Sequence, residues 1–440
     1  MRTIDVGILL SETIGFSLIG TFLCNGIEAT GENSVTVDGN RVKWNGNNYD
    51  RLIFTPRESD SHFTLHNVVI GIDFHWERCE EQSFRGELHL FMENGKVRAV
   101  NRIAVEEYLT SVISSEMSAT SSLQLLKAHA VISRSWLYAQ LDRKAEGGDT
   151  AAVYGWKNDN EIIRWYARDD HELFDFCADD HCQRYQGITK VINPDVLVAV
   201  KETEHKVLAY EGCVCDARFS KCCGGITEQF SACWEDESIP YLASFRDTDT
   251  TSEPFDASSE KGAREWIEGT HEAFCSAADT TTLSQVLNGY DRETNDFYRW
   301  TVEYTSEELS QLVRKKSGID FGEIYELTPM KRGKSGRIVL LKITGSKATV
   351  TVGKELEIRK WLSTSHLYSS AFVVDKTTNA AGETIFRLKG AGWGHGVGLC
   401  QIGAAVMSKN GYDYSAILSH YYPGAELKSI INIYHTGKEI

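Results

Sequence analysis

Across 440 residues the chain sets 46 Lys and Arg against 62 Asp and Glu, a formal net charge of −16, which disfavours nucleic acid as a partner and suits a neutral ligand or a protein surface. A hydrophobic fraction of 42% supports two or three folded domains and excludes a disordered or low-complexity chain. The 11 cysteines form no even ladder of the kind found in small secreted scaffolds, so a disulfide framework is not indicated.

Asp5 and Glu12 interrupt the apolar opening segment, and residues 4–10 read as a strand rather than as the apolar stretch of a signal peptide. With no transmembrane span or cleavable signal in view, two alternatives stand: a cytoplasmic protein, or a sequence that begins at a mature start. To about residue 105 the pattern is short alternating runs (34–37, 42–44, 52–54, 63–65, 68–70, 87–91 and 96–100), with hairpin-type turns at Asp38-Gly39-Asn40 and Glu93-Asn94-Gly95. Helical periodicity begins at Val105 and runs to Ile113. A polar break, Ser114-Ser115-Glu116-Met117-Ser118, separates it from a second helix, opened by a capping box over 121–124 and carrying Leu126, Ala130, Ser133 and Leu137 on one face.

Residues 141–170 are polar, without periodicity, and read as an insertion. Strands are expected at 195–200 and 206–210. A second irregular stretch, about 245–295, holds helix-like pieces around Trp266 and Leu283. A strand at 300–304, a helix at 307–315 and mainly strands over 321–390 follow, with a turn at Ser335-Gly336-Arg337. Helices close the pattern at 401–409 and 414–421, and 426–440 reads as a tail. Just before them lies a run from Gly390 to Ala404 with glycine at 390, 392, 394, 396 and 398. Alternate glycines bare one backbone edge to a ligand or a neighbouring strand; a Gly-rich turn between strands is the simpler reading.

Three groups of residues carry potential chemistry. His171, Cys177, His181 and Cys182 place two thiols and two imidazoles within twelve residues, the soft tetrahedral set that zinc prefers, and four protein ligands make such a site structural. A Cys177–Cys182 disulfide is its rival. Glu116, set between two helices beside Met117, is a candidate general acid if partly desolvated, and otherwise an ordinary polar residue of a turn. Cys222-Cys223-Gly224-Gly225 offers a thiol at a tight turn, so a Cys–His hydrolase using Cys223 or Cys400 with His395 stands against plain burial of the cysteines.

Taken in order, these blocks resemble the SpoIID/LytB family of stage II sporulation protein D and amidase-enhancer proteins. The resemblance rests on Val105-Glu106-Glu107-Tyr108-Leu109, Ser115-Glu116-Met117, residues 125–134, Asp180-His181-Cys182-Gln183 with Tyr185 and Gly187, Cys223-Gly224-Gly225 with Thr227, Pro240-Tyr241-Leu242, Ser335-Gly336-Arg337, and Gly392-Trp393-Gly394-His395-Gly396-Val397-Gly398 with Gln401. It implies an α+β, β-rich fold with a helical catalytic segment and two lobes around a cleft: a β-rich portion over 1–100, then a core over 101–425 with insertions near 141–170 and 245–295.

The activity implied is that of a peptidoglycan lytic transglycosylase cutting MurNAc–GlcNAc bonds of glycan strands, with Glu116 as acid and then base. The resemblance also implies structural zinc at His171, Cys177, His181 and Cys182. Arg134, Cys223, Gly224, Gly225, Trp393, His395 and Gln401 would line the glycan site. The amidase-enhancer branch implies the alternative of a non-catalytic glycan-binding protein whose partner is a cell-wall amidase. A cell-envelope location follows from such a substrate. Ser118, Cys400 and Cys222 stand where the family often has proline, serine and serine, and both insertions are atypical, which puts the substrate in doubt more than the fold.

Overall fold

The computed structural model describes residues 2–70, 78–118, 120–146, 153–166, 171–179, 182–191, 193–249, 254–286 and 296–436. They divide into two compact units, Met1–Ser133 with Asp170–Glu204, and Arg134–Asp169 with His205–Ile440. Both mix helices with sheets that are largely antiparallel, the α+β, β-rich composition expected.

The first unit is built on one large sheet. Its strand order is Phe176–Cys177, Thr3–Ser11, Lys96–Ala104, Glu87–Glu93, Arg51–Pro56, Thr13–Cys24, Ile27–Asp38, Arg41–Trp44 and Asn47–Tyr49, with His62–Ile70 and Arg78–Phe84 branching from Thr13–Cys24. Strict alternation selects the face turned inwards: Ile14, Phe16, Leu18, Phe22 and Cys24 are buried from one strand, and Phe63 and Leu65 from its partner. The expected hairpin at Asn94-Gly95 has both residues at positive φ, 50° and 75°, as a primed turn requires.

Lys96–Ala104 runs straight into helix α1, Val105–Glu116, which buries Tyr108, Leu109, Val112 and Ile113. The helix continues through the polar break read at 114–118: Ser115 Oγ donates to Ser111 O at 2.8 Å, a hydroxyl satisfied within the helix, and Glu116 is its last residue. Helix α2, Leu123–Ala145, opens at Ser122, whose Oγ accepts from Leu125 N–H at 3.3 Å. The cap therefore falls one residue later than the 121–124 box implies.

Residues 195–200, read as a strand, belong to helix α3, Pro194–Glu202. Asn193 Oδ1 accepts from Asp195 N–H at 2.9 Å, Pro194 occupies the first turn, and Val196, Ala199 and Val200 are buried while Leu197 and Val198 are exposed. That is the spacing of one helical face; a short β-branched run conceals it.

Within the stretch read as an insertion, 141–170, the described residues of the second unit include two strands. Val153–Lys157 and Glu161–Tyr166 form a hairpin that extends a five-stranded sheet through Thr349–Gly353, Ile338–Gly345 and Ile324–Arg332. The helical pieces around Trp266 and Leu283 are α4, Glu260–Glu268, and α5, Thr280–Val286. Helices α6, Ser306–Ser317, and α7, Glu355–Trp361, close the core over the five-stranded sheet with Leu309, Val313, Ile358 and Trp361. Arg299–Thr305, Thr384–Ala391 and Phe372–Thr378 make a second sheet. Helices α8, Gln401–Lys409, and α9, Tyr414–Tyr421, stand where their periodicity places them. The stretch read as a tail from 426 contributes Glu426–Ser429, paired with Lys206–Tyr210. Among the described residues no helix is long and apolar enough to cross a membrane.

Candidate active site and metal clusters

Glu116 closes α1 and is half-buried. Its Oε1 accepts from Arg184 N–H at 3.4 Å, so the carboxyl is addressed by the segment that follows the Cys/His group. That segment is tied along the length of α1. Gln186 N–H donates to Ser111 Oγ at 3.2 Å, Tyr185 stacks on Tyr108 with ring centroids 5.1 Å apart, and Tyr185 Oη donates to Asn101 Oδ1 at 2.5 Å. Burial pushes the Tyr108 phenol well up, with the Cys182 and Cys177 sulfurs, Tyr185 and the Glu116 carboxyl adding to it. One phenol thus senses both the candidate acid and the candidate metal group.

His171, Cys177 and Cys182 do converge, with one ligand atom from each within 4.8 Å of the others. Cys182 Sγ lies 3.7 Å from His171 Nε2 and accepts from Cys177 N–H at 3.4 Å. A tetrahedral zinc with bonds of about 2.3 Å to sulfur and 2.0 Å to nitrogen separates the two by about 3.5 Å, so these three residues fit the ion. His181 lies outside the described residues.

The glycine run is organised by one side chain. Arg337, fully buried, donates from Nη2 to Gly394 O at 3.1 Å, from Nη1 to Cys223 O at 3.2 Å and from Nη1 to Ser335 Oγ at 2.9 Å. Glycines 392, 394, 396 and 398 all have positive φ, between 71° and 88°. A β-carbon on Gly396 would meet Arg337 Cζ at 2.4 Å, and one on Gly398 would meet Arg218 O at 2.0 Å. The missing side chains make room for the protein's own guanidinium and backbone. Beneath the same turn Glu228 accepts from Ser335 Oγ at 2.6 Å and from the N–H groups of Gln229, Lys334 and Ser335. Burial pushes its carboxyl up, against the pull of Ser335 and Arg337.

A family model for "Stage II sporulation protein" matches residues 93–210, from the last strands of the first unit through α1, α2 and the Cys/His group. The amidase enhancer of Bacillus subtilis is 28% identical over 341 residues, which cover 73% of this chain but 40% of that protein. Stage II sporulation protein D of the same organism is 25% identical over 338 residues, covering 75% of this chain and 76% of its own. Residues 93–210 thus match the SpoIID family, and the chain is similar to SpoIID-like proteins over most of its length. An uncharacterized protein of Brachyspira hyodysenteriae is 26% identical over 344 residues, 78% of this chain and 72% of its own, and residues 228–398 match a domain of unknown function, DUF8618.

Within this SpoIID-like chain the other expected site residues lie in the second unit and are mostly inside it. Arg134 is fully buried and donates to Lys206 O at 3.0 Å. Cys223, Gly224, Gly225 and Gln401 are buried. Trp393 and His395 retain partial exposure; Trp393 packs against Tyr368 and Phe297 with ring centroids at 4.4 and 4.7 Å. His395 Nδ1 accepts from Val397 N–H at 3.0 Å, which leaves the proton of the neutral ring on Nε2. Burial and the charges of Arg218, Arg337 and Arg359 hold this imidazole well below its usual range.

The Cys400–His395 pair of a thiol hydrolase is not formed. Cys400 Sγ instead accepts from Cys223 N–H at 3.2 Å and Gly403 N–H at 3.4 Å. Burial works against its ionisation, yet hydrogen bonds from the thiols of Cys222, Cys223 and Cys275 and from Cys223 N–H outweigh it and hold Cys400 well below the usual thiol range. Cys223, Asp247, Cys275 and Cys400 form a second, fully buried group able to hold a metal. Asp247, Cys275, Arg337 and Glu228 were not legible as site residues, because no local spacing connects them. For Arg337 the signal was Ser335-Gly336-Arg337, read as a turn and as a block of the resemblance but not as part of the site.

Proposed function

We propose that the chain is a peptidoglycan lytic transglycosylase in which Glu116 is the single acid–base catalyst. The observation that carries the reading is Glu116 itself: a half-buried carboxyl ending α1 inside the region matched by the sporulation-protein model, aimed by a backbone N–H from the loop that the Cys/His group ties. Protonated Glu116 gives its proton to the oxygen linking MurNAc to GlcNAc, and the C1–O bond breaks as positive charge builds at C1. The resulting carboxylate takes the proton of the sugar's 6-hydroxyl while O6 bonds to C1. The products are a 1,6-anhydro end and a free GlcNAc hydroxyl; Glu116 is again protonated and no water is consumed. A hydrolytic glycosidase divides the work between two carboxylates; here one carboxylate serves in turn as acid and base.

Zinc held by His171, Cys177 and Cys182, with His181 as the expected fourth ligand, is structural in this reading. It lends charge to bind the thiolates and fixes the segment whose Arg184 N–H orients Glu116. Trp393 and His395, the partly exposed members of the expected glycan set, are proposed to contact sugar rings, and the buried members support them. Peptidoglycan as substrate implies work at the cell envelope.

A second reading is a non-catalytic glycan-binding protein that stimulates a separate cell-wall amidase. It is favoured by the relative named amidase enhancer and by the burial of most of the expected glycan contacts. Incubating the protein and its Glu116→Gln variant with peptide-free glycan strands and with intact sacculi, followed by mass spectrometry of soluble products, separates the two. Anhydro-ended fragments from the wild type alone establish the transglycosylase. Glycan retained by both proteins with no product selects the enhancer.

A further inference from the structure

We propose that Cys223, Asp247, Cys275 and Cys400 bind a second zinc ion, in the unit that does not contain Glu116, and that it joins four separate stretches of chain. The separations already match the ion. Cys223 Sγ lies 3.6 Å from Cys275 Sγ and 3.2 Å from Asp247 Oδ2, and all four ligand atoms fall within 4.8 Å of one another. Tetrahedral zinc with bonds of about 2.3 Å to sulfur and about 2.0 Å to oxygen places two sulfurs about 3.8 Å apart and a sulfur and an oxygen about 3.5 Å apart.

Two of the three sulfurs are set among backbone donors. A thiol packed as a small hydrophobe needs no donors, yet Cys223 and Cys400 collect them. Gly225 N–H donates to Cys223 Sγ at 3.3 Å, a turn back on itself that its φ of 97° allows. Cys400 Sγ receives the N–H groups of Cys223 and Gly403 at the start of α8. Asp247 is fully buried; its Oδ1 takes Tyr421 Oη at 2.8 Å and His420 Nε2 at 3.1 Å. Oδ2 is left facing the sulfurs, the arrangement in which outer partners orient a ligating carboxylate. Gly403 completes the enclosure, since a β-carbon there would meet Tyr421 Oη at 2.2 Å and Asp247 Oδ2 at 2.6 Å.

Three sulfurs and a carboxyl gathered in one buried group offer a cation a complete ligand set. Within hydrogen-bond distance of the group, His420 is the basic side chain present. Soft thiolates select zinc over magnesium or calcium, and four protein ligands leave no coordination position open, so the ion is structural. On binding, the ligand thiols give up to solvent whatever protons they carry, and no electron is transferred. Cys222, whose thiol faces those of Cys275 and Cys400, stays protonated and outside the ligand set.

The test is metal analysis of the purified full-length chain together with cobalt substitution. In a Cys177→Ser/Cys182→Ser background one equivalent of zinc is expected to remain. Cobalt in its place should give the charge-transfer and visible bands of a tetrahedral thiolate site. Adding Cys275→Ser should remove that equivalent and those bands, whereas adding Cys222→Ser should keep both. Should Cys275→Ser fail to fold, the cobalt spectrum of the background protein decides alone. A background protein free of metal overturns the proposal, whether its thiols all titrate or its mass is two hydrogens low from a Cys223–Cys275 disulfide. Loss of zinc in Cys222→Ser overturns the ligand assignment.

Discussion

Removing the guanidinium of Arg337 strands a buried carboxylate and two loop carbonyls at once. Glu228 is held by Ser335 and three backbone N–H groups, with Arg337 as the nearby positive charge, and an uncompensated buried charge is costly. Arg337→Met is therefore expected to lose about 3–5 kcal/mol in denaturant unfolding. Combining it with Glu228→Gln should lose less than the sum of the two single changes, because the pair shares its electrostatics. His366 gives a titration signature. Burial, with Arg359, Lys360 and Lys316 nearby, brings its imidazole down to about 4. Above an unfolded value of about 6.5 both states are neutral and nothing is lost. As pH falls from there to about 4, the unfolded chain binds a proton that the folded one resists, and stability declines by up to about 3 kcal/mol. In His366→Gln that part of the decline should vanish between pH 6.5 and 4 while stability at neutral pH barely moves, which unfolding midpoints across the range will show.

Among the elements, α3 is the instructive one. Asn193→Ala removes its N-cap hydrogen bond and should cost about 1 kcal/mol, read as a lower denaturation midpoint with an unchanged slope; a strand at 195–200 would not respond to that cap. Helices α8 and α9 were legible to the residue, because their apolar residues recur at helical spacing without a β-branched run. In α3 the run Val196-Leu197-Val198-Ala199-Val200 carries a strand-like pattern, although Asn193-Pro194 ahead of it was a start signal. The hairpin of Val153–Lys157 and Glu161–Tyr166 was missed for another reason. It lies at one end of its sheet, Trp156 and neighbouring residues are exposed, and such a strand carries little inward-facing pattern. The site divides in the same way. His171, Cys177 and Cys182 sit within one short segment and could be read from spacing, whereas Asp247 and Cys275 join Cys223 and Cys400 only through tertiary packing.

On the scale of the whole chain, two compact units, each with a side-chain group able to hold a metal, predict unfolding that is not two-state. Calorimetry should resolve two transitions. Cys177→Ser/Cys182→Ser should lower the one belonging to the first unit and spare the other; a single transition that shifts as a whole would refute independent units. The division also bears on how the protein is made. Each unit is assembled from two stretches of chain, and the first is complete only when Glu204 has emerged from the ribosome. By then the hairpin of Val153–Lys157 and Glu161–Tyr166 has already been synthesised, while Thr349–Gly353, to which its inner strand pairs, has not. For that interval a nascent strand edge stands open, the condition that invites wrong pairing. Neither unit can be obtained by truncating the gene at one point: a shortened product ending after Glu204 carries an orphan hairpin, and one beginning at His205 lacks it.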